Sequence, residues 1–314
     1  MSVLESFSLA GKTVLITGAS YGLGEQFAYG MAEAGADVIL TARSETMLEA
    51  VAEKVRSLGR TATVLVGDVT NENDVLRVVA QGISAHGKID VLVNNAGIAD
   101  LRGVVAERFD TDTFKRILDV DLTGLFVYSR EVGRHMLERR AGSIVNICSI
   151  MGSGANELNV IAYSAAKGAV RNLTLQLGSE WADRGVRVNA ISPGFIVTEM
   201  TRPAIEALGV GEYVASRTPM RRIGDAREVL LPLIFLASDA SSYITGVDLL
   251  VDGGTNAGNG YYQIPPGHHG WGAMLDMPAV PGAYEGLAPL PERFTPWTMG
   301  IPGLHYEMPE GTGP

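Results

Sequence analysis

Residues 13–24 read TVLITGASYGLG, a run of β-branched and apolar residues that passes directly into a glycine-rich turn. After the turn, Phe27, Ala28, Met31 and Ala32 follow with helical spacing. A glycine-rich turn between a strand and a helix lets the backbone approach a phosphate group, while the helix N-terminus supplies unpaired N–H groups. Three glycines this close also occur in ordinary turns, which remain the alternative. The candidate phosphate-binding residues of this turn are Gly18, Ser20, Tyr21, Gly22, Leu23 and Gly24.

Short strand-like runs and helical stretches alternate from this turn to residue 254. Continuous hydrophobicity, as expected for strands covered on both faces, marks 13–17, 37–41, 61–66, 90–93, 143–147, 186–191 and 248–251. Between them lie helical patterns such as Val75, Val78, Val79 and Ile83, which Gly87 would end. This alternation predicts an α/β fold with a doubly wound parallel sheet, whose ligand site lies at the carboxyl ends of the strands.

Composition and charge exclude several classes of function. The 314 residues contain 25 Lys and Arg against 35 Asp and Glu, a formal net charge of −10, so we expect neither nucleic acid nor a membrane surface as a partner. One cysteine, Cys148, excludes an internal disulfide and a multi-cysteine zinc site, and we predict no metal site. No apolar run approaches the ~18 residues that span a bilayer, and no signal core is present at the start. We therefore expect a soluble, cytoplasmic protein.

The end of the second strand carries Arg43 where many NAD-binding folds place an acidic residue. A guanidinium there could hold a ribose 2′-phosphate through a charge-assisted pair, which favours NADP as the cofactor and leaves NAD possible. A solvated surface arginine is the alternative. Further along, Asp68–Val69 and Asn95–Ala96–Gly97 end the third and fourth strands. Asp68 could accept from an adenine amino group, although these residue types also occur in caps and turns for backbone reasons.

Tyr163 and Lys167 lie four residues apart in YSAAK, so a helix would place them on one face. An ammonium beside a phenol stabilises the phenolate and lowers its pKa from ~10 toward the working pH. The tyrosine then becomes a usable general acid and base, and Ser149, after the strand SIVNIC, can hydrogen-bond the reacting oxygen. The Tyr–Lys spacing alone is common by chance, and an ordinary amphipathic helix is the alternative.

The ordered set TGASYGLG, DV, NNAG, Ser149, YSAAK, SPGFIVTEM and ASSYITGVDLLVDGG resembles the short-chain dehydrogenase/reductase family over residues 9–254. This resemblance implies a seven-stranded Rossmann-type domain and reversible hydride transfer between a nicotinamide and a carbonyl/alcohol pair. It implies that Tyr163 exchanges the substrate proton, that Ser149 orients the carbonyl, and that Lys167 holds the nicotinamide ribose. The enoyl-reductase branch of the family spaces its tyrosine and lysine more widely than this chain does.

The resemblance also implies further cofactor contacts and an assembly. Residues 95–97 would stabilise the central sheet and touch the adenosine ribose. The family is commonly dimeric or tetrameric, so we expect a homo-oligomer, with a homotetramer as the form we predict. The residues expected at the nicotinamide end are Pro193, Gly194, Ile196 and Thr198.

Asp121, in the segment DLTG, departs from the family, which usually carries an asparagine at this position as the fourth member of the catalytic set. If the backbone carbonyl performs the role, the aspartate substitutes with little loss. If the amide is needed, the proton relay is compromised or retuned. We retain Asp121 as a candidate catalytic residue.

These observations predict an NADP(H)-dependent oxidoreductase that interconverts a secondary alcohol and a ketone. The alternative is an NAD(P)-binding regulator or scaffold without turnover. We expect a small-molecule substrate, moderately hydrophobic or cyclic, because much of its expected pocket is apolar. The apolar wall would comprise Met151, Leu158, Phe195, Met200 and Ile205, with Asn156 and Glu157 as orienting polar groups.

Composition changes near residue 256, which divides the chain into a domain at 1–256 and a segment at 257–314. The second segment holds ten of the fourteen prolines, two of the three tryptophans and few charges. A disordered tail is usually rich in charge and poor in aromatic residues, the opposite of this composition. We therefore predict an extended C-terminal arm that contacts a neighbouring subunit, with a disordered extension as the alternative.

Overall fold

The strand-like runs form one sheet in which every strand is parallel to its neighbours, as the sequence predicts. The computed structural model describes residues 2–100, 104–154, 160–198, 202 and 210–257. The order in the sheet is β3-β2-β1-β4-β5-β6-β7. The strands are β1 Thr13–Thr17, β2 Asp37–Thr41, β3 Ala62–Val64, β4 Val91–Asn94, β5 Gly142–Ile147, β6 Val186–Pro193 and β7 Asp248–Val251.

Helices connect the strands, and four of them, α2, α3, α4 and α8, begin at a polar side-chain cap. The Ser44 side chain accepts from the N–H of Met47 at the start of α2, and Asn71 caps α3 in the same way. Gly87 ends α3 with φ +74°, the left-handed conformation that glycine adopts without strain. The helices are α1 Gly22–Glu33, α2 Glu45–Ser57, α3 Glu72–His86, α4 Thr111–Leu118, α5 Leu125–Arg139, α6 Ile161–Glu180, α7 Val210–Arg217 and α8 Ala226–Ala237.

Helix layers cover both faces of the sheet. Successive strand residues point to opposite faces, so Val14 and Ile16 pack with Phe27 of α1, whereas Leu15 packs in the opposite layer with Tyr128 of α5. All five of these side chains are fully buried. Burial on both faces explains the continuous hydrophobicity of the strand sequences.

The strand order changes direction between β1 and β4. The chain runs outward from β1 to β3 and then returns to place β4 on the other side of β1, with Val14 opposite Val91. The connections after these two strands leave on opposite sides, which opens a crevice above the carboxyl ends. The glycine turn after β1 and the segment after β4 both lie at this crevice.

Residues 258–314 of the predicted C-terminal arm, 257–314, lie outside the described residues, and the arm stays a prediction. In the part of the chain that the structure describes, no helix is long and apolar enough to cross a membrane.

Candidate functional site

The glycine turn after β1 has the backbone conformation that a phosphate-binding turn requires. Gly18 and Gly22 adopt φ +63° and +65°, where a side chain would be strained. A Cβ at Gly18 would also lie 2.8 Å from the Cα of Ala96. Helix α1 begins at Gly22 without a side-chain cap from Tyr21, unlike α2 and α3. Its first N–H groups are therefore available to an anion.

Asn95 ties the end of β4 to this turn. Its side-chain amide donates to the carbonyl oxygens of Thr17 and Gly18, each at 3.0 Å. The backbone N–H groups of Asn95 and Ala96 donate in turn to the Thr17 hydroxyl at 3.0 and 3.1 Å. This double attachment fixes the turn against the central strands.

Arg43 lies at the crevice beyond β2, where the ribose of an adenine nucleotide would bind. Its side chain is exposed and lines the cavity together with Ser44, Asp68 and Val69. Within the described ranges, no acidic side chain forms an ion pair with Arg43. Its guanidinium is therefore available to a phosphate, and the residues present at this end fit a phosphorylated dinucleotide.

Three of the predicted catalytic residues, Ser149, Tyr163 and Lys167, line one cavity at the carboxyl ends of the strands. α6 carries both Tyr163 and Lys167, and Lys167 Nζ lies 5.4 Å from the centre of the Tyr163 ring. Lys167 is buried and donates to the carbonyl oxygen of Ile147 at 3.1 Å. Ser149, at the end of β5, lies near the half-buried Tyr163 phenol, and its hydroxyl lowers the pKa of that phenol. The predicted proximity of these three residues is present in the folded chain.

The charge balance at Tyr163 differs from the sequence expectation. Burial raises the pKa of the Tyr163 phenol above its ordinary value, and this effect exceeds the lowering by Lys167. The carboxylate of Asp121 raises the Tyr163 pKa further. The sequence argument considered Lys167 alone, so it predicted the opposite direction.

Asp121 lies in a π-helical turn, Asp119–Gly124, that joins α4 to α5. Its side chain is fully buried. Oδ1 accepts the backbone N–H of Ile98 at 2.7 Å, and Oδ2 lies 3.2 Å from Lys167 Nζ. π-Helical turns are frequent at functional sites because they redirect side chains within a helix. Here the turn points a carboxylate at the base of the cavity.

A single cavity of about 710 Å³ connects these groups. Every residue that the sequence assigned to catalysis or cofactor binding lines it, except Gly24 and Asp121, which lie beneath its surface. A Cβ at Gly24 would collide with the Gly18 carbonyl, so Gly24 supports the turn from below. The remaining predicted members of the lining, toward β6, are Pro193, Gly194, Ile196 and Thr198.

Sequence reasoning missed one wall of the cavity, which is formed by α4 and the start of the π-helical turn. Asp112, Lys115, Arg116 and Asp119 all line it. Their spacing of i, i+3, i+4 and i+7 places them on one helical face, and this pattern is visible in the sequence. What the sequence did not indicate is that this polar face borders the crevice rather than open solvent.

Of the expected substrate wall, Met151 and Phe195 line the cavity. Among the described residues, no group of three or more His, Cys, Asp and Glu side chains is arranged to hold a metal ion. The other expected wall and orienting residues lie outside the described residues: Asn156, Glu157, Leu158, Met200 and Ile205.

The family model described as enoyl-(acyl carrier protein) reductase matches residues 18–256. The chain is 39% identical over 253 residues to a 2-dehydro-3-deoxy-D-gluconate 5-dehydrogenase of Pseudoalteromonas atlantica, covering 80% of this chain and 98% of that one. It is 38% identical over 248 residues to a 5-keto-D-gluconate 5-reductase of Escherichia coli, covering 79% and 96%.

Solved structures resemble the same region. A gluconate 5-dehydrogenase of Burkholderia cenocepacia, crystallised in complex with NADP and tartrate, superposes with a TM-score of 0.77 at 36% identity. The match covers 81% of this chain and 99% of that one. The resemblance therefore extends over nearly the whole length of that relative.

Proposed function

The chain belongs to the short-chain dehydrogenase/reductase family, and from this premise we propose that it is an NADP(H)-dependent oxidoreductase that interconverts a secondary alcohol and a ketone. The observation that carries this proposal is the meeting of Ser149, Tyr163 and Lys167 in the cavity that also contains the glycine turn. A proton-transfer group and a nucleotide cradle in one cavity are what hydride transfer to a carbonyl requires.

The residues of the cavity support NADP as the cofactor. The turn at residues 18–24 and the N-terminus of α1 would hold the pyrophosphate, and Arg43 the 2′-phosphate. Asp68 and Val69 would contact the adenine, and residues 95–97 the adenosine ribose. The contacts of the nicotinamide end would come from Pro193, Gly194, Ile196 and Thr198. When bound, the cofactor supplies or accepts the hydride.

Tyr163 transfers the proton, and Ser149 and Lys167 assist it. During reduction, the Tyr163 hydroxyl donates its proton to the oxygen that becomes the alcohol, and during oxidation the phenolate removes it. The Ser149 hydroxyl, which lines the cavity beside Tyr163, orients the same oxygen. Lys167 stabilises the phenolate that remains after donation and would hold the nicotinamide ribose.

For the substrate, we propose a moderately apolar or cyclic molecule. Around Ser149 and Tyr163, the described lining is mainly apolar: Ile98, Ile150, Met151, Val160 and Phe195. Such a surface favours hydrocarbon over a fully hydrated chain, because each buried apolar Å² contributes about 25 cal/mol.

A sugar acid or polyol is the second candidate. The names of two relatives, a 2-dehydro-3-deoxy-D-gluconate 5-dehydrogenase and a 5-keto-D-gluconate 5-reductase, favour this candidate. Two cationic side chains of α4, Lys115 and Arg116, also line the cavity and support it. Such cations could pair with a carboxylate.

NADPH- and NADP-linked turnover across two matched panels tests the proposal. One panel holds cyclic and aryl-alkyl ketones with their alcohols, and the other holds ketogluconates, gluconate and polyols. We expect turnover in at least one panel and loss of it in Ser149→Ala. Tight NADPH binding without turnover of any compound would instead favour the cofactor-binding regulator.

A further inference from the structure

A buried carboxylate faces the catalytic lysine from below the cavity. Asp121 Oδ2 forms an ion pair with Lys167 Nζ at 3.2 Å, and within the described part of the chain this oxygen accepts no hydrogen bond. Both side chains are almost completely shielded from water. A buried charge is costly unless an opposite charge lies close. Burial raises the pKa of the Asp121 carboxyl and the Lys167 ammonium lowers it, so the lysine is the group that favours the ionised carboxylate.

The pair changes what Lys167 can do for Tyr163. An ammonium alone beside a phenol favours the phenolate. With an ionised carboxylate on the other side of the ammonium, the two charges cancel, and ionising the phenol would add an uncompensated negative charge to a buried site. Asp121 and Tyr163 therefore compete for one cation.

The surrounding charges do not relieve this competition. Two charged groups of the described residues act on the Tyr163 phenol: the Lys167 ammonium, from the same helix, and the Asp121 carboxylate, from the π-helical turn. The Cys148 thiol approaches from the end of β5, where burial raises its pKa and keeps it neutral. Asp248 of β7 acts on Cys148 with a negative charge, while its own carboxylate is paired with Arg171. Among the described residues, Lys167 is the cation that acts on the Tyr163 phenol.

We propose that Asp121 is a positioning residue that neutralises Lys167 and thereby keeps Tyr163 protonated at neutral pH, so that the site is set to donate a proton to a carbonyl oxygen. This inference rests on the proposed function. In the step concerned, the Tyr163 O–H bond breaks and a new O–H bond forms on the former carbonyl oxygen, while its carbon gains the hydride of NADPH. The phenolate that remains regains a proton from solvent. The raised pKa of Tyr163 agrees with this arrangement.

The test is a spectroscopic titration of Tyr163 in the cofactor-free protein. Phenolate absorbance is recorded against pH for the wild type and for Asp121→Asn, each minus its Tyr163→Phe counterpart, which isolates one phenol among the ten tyrosines. Asn keeps the shape of Asp, and its side-chain oxygen can still accept the Ile98 N–H, but it removes the charge. We expect the Tyr163 midpoint in Asp121→Asn to fall by ~1 pH unit or more.

Asp183→Asn is the matched control, because it removes the same charge from an exposed position just beyond the far end of α6. Its midpoint should equal that of the wild type. An unchanged midpoint in folded Asp121→Asn, judged by circular dichroism and Tm, overturns the proposal.

If Asp121→Asn does not fold, Asp121→Ser, which also removes the charge, takes its place in the same titration. A Tyr163 midpoint that falls by ~1 pH unit or more supports the proposal, and an unchanged midpoint overturns it. Turnover is a separate readout, since the midpoint for alcohol oxidation should shift in the same acid direction as the titration. A shifted titration in a protein that turns over neither panel refutes the proposed function and leaves the effect of Asp121 on Tyr163 intact.

Discussion

The side-chain amide of Asn95 donates to the carbonyl oxygen of Gly18 at 3.0 Å, which joins the end of β4 to the turn that precedes α1. The same nitrogen donates to the carbonyl oxygen of Thr17 at 3.0 Å. The turn contains Gly18 and Gly22, which both adopt left-handed backbone conformations. The Asn95 amide stabilises this backbone conformation through its two hydrogen bonds. We therefore expect ligand binding at the turn to depend on Asn95.

Asn95→Ala should destabilise the protein and weaken cofactor binding together. Two carbonyl oxygens lose their donor, which should lower the free energy of unfolding by about 1–3 kcal/mol. The loosened turn should raise the Kd for NADPH by about 10-fold, or ~1.4 kcal/mol. Urea denaturation and NADPH fluorescence titration measure the two effects. The exposed Asn73→Ala is the control, and unchanged values in Asn95→Ala would contradict the role.

Tyr163→Phe should abolish turnover and leave NADPH affinity nearly intact. The substitution removes the transferable proton but little of the binding surface. Steady-state kinetics and a binding titration on the same preparation separate the two quantities. Activity within ~10-fold of the wild type would show that another group moves the proton.

Arg43→Ala should weaken NADPH binding selectively. Loss of a hydrogen bond to a charged group should cost about 1.5–3 kcal/mol in NADPH binding. NADH has no 2′-phosphate, so its Kd should change little and provides the internal control. A wild type with higher kcat/KM for the NAD couple than for the NADP couple would refute this assignment.

Asp90→Asn should lower stability at neutral pH and have little effect in acid. Burial alone would raise the pKa of Asp90, but its bonds from Lys88, Arg139 and the Thr13 N–H lower it below its usual value. A carboxyl whose folded pKa is depressed stabilises the fold above its unfolded pKa of ~3.9, and this stabilisation is lost as the pH falls through the folded pKa.

The loss in Asp90→Asn should be about 1–3 kcal/mol at pH 7. Thermal unfolding from pH 7 to 3 checks it, because the Tm gap to the wild type should narrow below pH ~4. A gap that stays constant over this range would mean that ionisation of Asp90 contributes nothing.

The protein should form a homo-oligomer larger than its 33.3 kDa chain. We expect α5 and α6 at the interfaces, because both carry exposed apolar side chains, Phe126 on α5 with Ile161 and Leu175 on α6. Light scattering at micromolar concentration measures the mass, and Leu175→Glu should reduce it if α6 is at an interface. A wild-type particle of monomer mass would contradict the prediction.

The sequence by itself determined the features that depend on near neighbours along the chain. The β1–turn–α1 unit follows from residues 13–24, because strand, glycine turn and helix each have a local pattern. The i, i+4 spacing of Tyr163 and Lys167 required only that the segment be helical, and α6 meets that condition. The seven strands were predictable to within a few residues, since buried parallel strands read as continuous apolar runs.

Only the tertiary structure decided the electrostatics of the site. Asp121 and Lys167 are far apart in sequence, and the π-helical turn and α6 bring their charges to 3.2 Å. Burial of the Tyr163 phenol raises its pKa more than Lys167 lowers it, and the Asp121 carboxylate adds to the rise, so the direction is opposite to the one expected from Lys167 alone. Local spacing shows which groups share a helix face, but burial and charge depend on every element packed around them, and the packing of distant segments sets both.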